Sequence, residues 1–268
     1  MEPPIAASST QPSPAVPSSE ELNAELLDFP EPPEMPPAVI PPGYDDALAV
    51  AVKYVRAKRG GDLVGIILVG SGARRAVTAH SDIDLIVLVK GPADGQEMLR
   101  VADRLVDIRY GEHKTVAEEV DYSPRLAPLL RKGRILYDYE DIAAQLITKA
   151  AQRFRQGPPA ANLHERIRLK ADCLHWLGKV EDLREKPGTA QYLLHIFFQE
   201  CLTAFFRTRG LWLTAPVDAL RFLASRDPAL ADLAGQFLSA ATLHERLACG
   251  RRFADALFRD IPLPPRVD

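Results

Sequence analysis

The sequence predicts an α+β fold: a mixed sheet flanked by helices, followed by an all-α helical bundle. Three observations predict it. Short β-branched apolar runs at Val64–Val69, Leu85–Val89 and Val106–Tyr110 all fall before residue 140. Beyond Asp141 the strand signal stops, and apolar residues recur at helical spacing. Ahead of both, residues 1–42 hold 12 of the chain's 23 prolines, too many for a packed segment. The expected organisation is therefore a disordered Pro-rich acidic arm (1–42), a sheet-containing domain (43–140) and a helical bundle (141–262).

Within the arm, Ser18-x-x-Glu21 is a capping-box pattern followed by Leu22, Leu26, Leu27 and Phe29. It reads as a transient helix or as a docking peptide for a protein partner or the chain's own body. Residues 44–59 read as a helix. Ala47, Val50, Ala51, Tyr54 and Val55 share a face, and Arg56, Lys58 and Arg59 sit where the helix dipole favours cations. Gly60-Gly61 ends it. The strand Val64–Val69 leads into Gly70-Ser71-Gly72 and a helix-like stretch, Ala73 to Ala79. Leu99 to Leu105 reads as a helix and Val106 to Tyr110 as a third strand. Val116 to Leu130 reads as helical with breaks at Pro124 and Pro128, and Ile135-Leu136-Tyr137 as an edge strand. In the bundle, Leu163, Ile167, Lys170, Leu174 and Leu177 mark one helix face. Tyr192–Phe206 is apolar almost all round and should be central. Pro216–Ala224, Leu230–Leu247 and Arg251–Phe258 add further helices.

Composition narrows the function. The net charge is −3, but seven acidic residues and nothing basic lie in 1–42, so the remainder carries about +4. A mildly basic body suits phosphate handling but is no nucleic-acid footprint, which argues against a template-directed polymerase. No apolar run is long enough for a membrane span, and no Lys or Arg precedes Lys53, so no secretory leader is read. Cys173, Cys201 and Cys249 are far apart and odd in number, as in a reducing, cytoplasmic setting.

The chemistry concentrates between Leu68 and Leu85. Gly70-Ser71 follows a buried strand, where glycine lets the backbone approach an anion. Asp82 and Asp84 bracket Ile83 at a strand start, so period 2 puts both carboxylates on one face. Two such carboxylates repel unless a cation sits between them, and Mg2+ suits a few carboxylates plus phosphates. Asp107, flanked by Val106 and Ile108, is the candidate third ligand, with Glu112 as the fallback.

This stretch resembles the DNA polymerase β-type nucleotidyltransferase superfamily: Gly-Ser, a gap, Asp-x-Asp, then a third Asp on a neighbouring strand. It is closest to the minimal bacterial members, matching at Gly70, Ser71, Ala73, Arg74, Ser81, Asp82, Ile83, Asp84 and Leu85. Arg75 departs from the pattern, which has Gly there, and should alter how the loop meets phosphates. The resemblance covers roughly residues 44–140. More faintly, Tyr192–His195 through Thr208–Trp212 resembles the bundle of kanamycin-type nucleotidyltransferases and of the HEPN family, and Arg168 and His175 fit the HEPN spacing.

The resemblance implies a transferase moving a nucleoside monophosphate, AMP, from an NTP, ATP, to a hydroxyl of an unidentified small-molecule acceptor. Asp82, Asp84 and Asp107 would be catalytic and would bind two Mg2+ ions. Gly70, Ser71, Arg74 and Ser81 would contact the nucleotide. Two alternatives stand beside it: an antitoxin-like enzyme that adenylylates a protein, and a non-catalytic nucleotide-binding scaffold. Lys170 and Lys179 are candidates for the cleft, Trp212 and Tyr192 for base stacking or packing, and His195 for the core.

Overall fold

A computed structural model describes residues 40–264 except 92 and 94. The arm, with its Ser18–Phe29 pattern, lies outside the described residues apart from its last three positions. Helix α1 (Tyr44–Arg59) forms as expected, with Asp45 and Asp46 in its first turn and three basic residues in its last. Strand β1 (Leu63–Val69) is buried along its whole length. A single helical turn, α2 (Gly70–Ala73), leads through a loop to β2 (Ile83–Val89). Strands β3 (Gln96–Val101) and β4 (Arg104–Glu112) form a hairpin, and then come α3 (His113–Tyr122), α4 (Leu126–Leu130) and β5 (Arg134–Asp138).

The five strands lie in the order β3-β4-β2-β1-β5. Strand β1 runs antiparallel to β2 and β5, β2 parallel to β4, and β3 antiparallel to β4. The mixed sheet is therefore as predicted, with β5 at one edge. Period 2 assigns its faces. Ile83, Leu85, Val87 and Val89 of β2 and Val106, Ile108 and Tyr110 of β4 join one core together with α1. Ile86 and Leu88 point the other way, into a core completed by α3, α4 and α5 (Ile142–Arg155). Asp84 and Asp107 have the parity of this second face.

Three expectations are corrected. Leu99–Leu105 is not helical: it spans the end of β3, a turn at Ala102-Asp103 and the start of β4. Glu97, Leu99 and Val101 are half-buried while Gln96, Met98 and Arg100 on the opposite face are more exposed, the alternation of a strand. The helix-like stretch after Gly72 ends at Ala73. Leu230–Leu247 is two helices, α9 (Pro228–Ser239) and α10 (Leu243–Leu257), the latter absorbing Arg251–Phe258. Thr242 and Glu245 form a capping box that starts α10.

The edge strand β3 is pinned to α1 by Glu97. Its carboxylate accepts from Tyr54 Oη (2.6 Å), Lys58 Nζ (2.9 Å) and Tyr110 Oη (3.0 Å). The Tyr54 and Lys58 bonds hold its carboxyl below the usual range. A depressed carboxyl adds stability above its unfolded pKa, and that stability is lost as pH falls through the lowered folded value. Glu97→Ala should therefore lower the thermal midpoint at pH 7 and change little at pH 3. Equal midpoints of the two proteins at pH 7 would show that the cluster adds nothing.

After α5 come α6 (Leu163–Asp182), α7 (Pro187–Thr208) and α8 (Pro216–Arg226), then α9 and α10. The predicted central helix, α7, buries Phe197, Phe198, Phe205 and Phe206. Phe198 stacks on Phe237 of α9 at 4.9 Å. Helix α5 drew no sequence signal, yet Ala143, Leu146 and Ala150 pack beneath the sheet. Asp138 caps it by accepting from the Ala143 and Ala144 amides. Among the described residues no helix is long and apolar enough to cross a membrane. The three cysteines are free and buried.

Candidate active site

The parallel pairing of β2 with β4 sets Asp84 directly opposite Asp107. Asp82 immediately precedes the strand and is exposed. The Asp84 pKa is raised to about 6, first by burial and then by the charges of Asp82 and Asp107. Asp84 is therefore within electrostatic reach of both Asp82 and Asp107. Glu112 is not among them: it pairs with Val89, at the far end of the same two strands, and accepts from Thr115. Asp107 accepts from Gln96 Nε2 at both oxygens, 2.8 and 2.7 Å. Gln96 drew no attention in the sequence, because only the β3–β4 hairpin brings it to Asp107.

Gly70 closes the other side. Its φ is 65°, and a Cβ built there would overlap Asp84 Oδ2. Only glycine accommodates both demands without strain. Gly72 is equally confined. A Cβ there would overlap Tyr44 Oη, with Leu68 Cδ1 at 3.1 Å. Gly72→Ala should consequently destabilise the protein, and Tyr44→Phe in the same chain should recover part of the loss, since it removes the overlapping atom. Chemical denaturation of the two single variants and the double variant tests this; strictly additive costs would contradict the contact.

Ser71, half-buried, lies in the turn between these glycines. Arg74 turns to the helical half of the chain: its Nη1 donates to Asp218 of α8 (2.7 Å) and its Nε to the Gly70 carbonyl (3.3 Å). Asp218 also accepts from Arg221. Arg75 has φ 53°, in the left-handed region. Glycine adopts this conformation freely, whereas Arg bears a backbone cost of about 1 kcal/mol. Ser81 Oγ accepts from the Thr78 amide (2.9 Å) and bonds Thr78 Oγ1 (3.1 Å), so its side chain fastens its own loop. Arg104 donates to the Ser81 carbonyl from below.

Other candidates do not gather here. Lys170 Nζ binds the carbonyls of Phe258 and Ile261, anchoring the end of the bundle. Trp212 is a packing residue, stacked on Phe154 with Nε1 donating to the Phe154 carbonyl (2.9 Å). Tyr192 is exposed. His195 is exposed rather than in the core, and its Nδ1 bonds the Gln191 carbonyl. Arg168 pairs with Asp172 on its own helix.

Among the described residues no three His, Cys, Asp or Glu side chains are drawn together as a formed cation site. The donor chemistry nevertheless fits a hard divalent cation. Asp82, Asp84 and Asp107 supply hard oxygens, and the repulsion that Asp82 and Asp107 add to the burial of Asp84 is what a cation would relieve.

Residues 49–139 match the family model described as nucleotidyltransferase domain. Among solved structures, a nucleotidyltransferase-like protein from Exiguobacterium sibiricum 255-15 is similar at a TM-score of 0.46 and 17% identity, over 80% of this chain and 74% of that one. No curated protein matches the chain.

Proposed function

We propose that the protein is a metal-dependent nucleotidyltransferase that moves AMP from ATP to a hydroxyl of a small molecule. The observation that carries this reading is the register of β2 and β4, which opposes Asp84 to Asp107 beside Gly70. Asp82, Asp84 and Asp107 would hold two Mg2+ ions. When bound, these ions neutralise the triphosphate and polarise the α-phosphoryl group. The Gly70-Ser71 turn cradles the phosphates. Arg74, steadied by Asp218, adds fixed positive charge that it cannot lose by deprotonation. Asp107, once released by Gln96, receives the acceptor's hydroxyl proton. The acceptor oxygen forms a bond to the α-phosphorus, the bond from that phosphorus to the bridging oxygen breaks, and pyrophosphate leaves with the electron pair.

Three buried free thiols accord with a reducing, cytoplasmic setting. The arm is the segment to which we assign a protein partner. The test is a cell extract supplied with α-32P-ATP, Mg2+ and purified protein. Label on a small molecule, lost in Asp82→Ala, is the expected result. Label on a protein would replace the acceptor assignment with the protein-modifying alternative. No label and no pyrophosphate release, with Mg-ATP still bound, would leave the scaffold reading.

A further inference from the structure

The most unusual atom near the site is one the reading above does not use. Tyr44 opens α1 with its side chain 2% exposed, and its hydroxyl is buried without a hydrogen-bond partner. Buried hydroxyls are almost always paired, because an unpaired one forfeits its hydrogen bond to water. This one is also closely placed. It lies against Gly72, filling the volume that any side chain at 72 would need, with the Arg104 guanidinium 5.2 Å from the centre of its ring. Burial, and then the Asp84 charge, hold the phenol above its ordinary pKa, so it is a donor at any working pH.

A phenylalanine would fill the same apolar pocket among Leu48, Leu68 and Val77 without an orphaned donor. The hydroxyl's location beneath the turn that follows β1 suggests where its partner comes from. Resting on the reading of residues 70–73 as the phosphate loop, we propose that Tyr44 is a positioning residue: its hydroxyl donates to the backbone of that loop when the loop takes up a nucleotide's phosphates. The unpaired donor of the free protein becomes paired in the loaded one, and the energy of that bond favours loading. It touches no reacting atom and acts only through the loop.

The experiment is calorimetry on the full chain with Mg-ATP, Mg-pyrophosphate and Mg2+ alone, for the natural protein and Tyr44→Phe, alongside chemical denaturation of both without ligand. The expected result is unchanged or slightly higher stability of Tyr44→Phe, with Mg-ATP and Mg-pyrophosphate bound about tenfold more weakly, the size of one hydrogen bond, and Mg2+ alone bound equally. Equal affinity of both proteins for Mg-ATP would overturn the inference and leave the proposed function standing. Lower stability of Tyr44→Phe with unchanged affinity would also overturn it, assigning the hydroxyl to a buried water. Failure of the natural protein to bind Mg-ATP would remove the phosphate-loop reading and this inference with it.

Discussion

Replacing Asp84 with Asn is expected to stabilise the ligand-free protein at pH 8 while abolishing its binding of Mg-ATP. The folded-state pKa of Asp84 is raised from 3.8 to about 6, first by burial and then by Asp82 and Asp107. A carboxyl whose folded pKa is raised opposes folding once it ionises. The folded state is unaffected below the unfolded pKa, loses stability as pH rises from there, and bears the full penalty above about 6. Asp84 is only part-buried, so solvent screening reduces the penalty to about 1–2 kcal/mol at pH 8. Asn removes the charge and keeps the shape. Urea denaturation should show Asp84→Asn more stable than the natural protein at pH 8, with the gap closing near pH 4. Added Mg-ATP should reverse the order at pH 8, because only the natural protein gains binding energy. A variant less stable than the natural protein at pH 8 without ligand would contradict the raised pKa of Asp84.

Gly70→Ala should be the most damaging small substitution in the domain. It forces a Cβ onto a left-handed backbone at φ 65° and into Asp84 Oδ2. The backbone term is about 1–2 kcal/mol. The overlap adds to it, because the neighbour is a side chain boxed in by the sheet rather than the free end of a surface chain. The expected outcome is a loss of stability beyond that backbone term, together with at least a tenfold loss of Mg-ATP affinity. A second measurement separates the two causes. In an Asp84→Ala background the overlap disappears, so Gly70→Ala should there cost only the backbone term. The same cost in both backgrounds would show that Asp84 is not what confines Gly70.

Much of this site is legible in the sequence. Gly70-Ser71, Asp82 and Asp84 lie within fifteen residues, so local spacing alone relates them: a turn after a strand, and two carboxylates at the next strand's start. Asp107 was legible from its own flanks, since a carboxylate between Val106 and Ile108 needs a reason. The errors also have local causes. Apolar residues between Leu99 and Leu105 are compatible with a helix as well as with a strand's alternation, and only the turn at Ala102-Asp103 separates the two. The Thr242–Glu245 capping box divides α9 from α10, where the apolar residues of Leu230–Leu247 by themselves read as one helix. Helix α5 was missed because its small apolar face is only meaningful against the underside of the sheet.

The sequence by itself determined the chemistry on offer: which residues carry charge, where the chain turns, and which short segment resembles a nucleotide-transfer motif. These follow from composition and spacing, which act over a few residues. The tertiary structure alone decided which groups meet. It placed Asp107 opposite Asp84, gave Gln96 to Asp107 and Asp218 to Arg74, left Glu112 at the wrong end of its strand, and set the Tyr44 hydroxyl beneath Gly72. Each of these depends on strand register or on packing between distant segments. Those are fixed by burial of the two sheet faces as a whole, which no local pattern encodes.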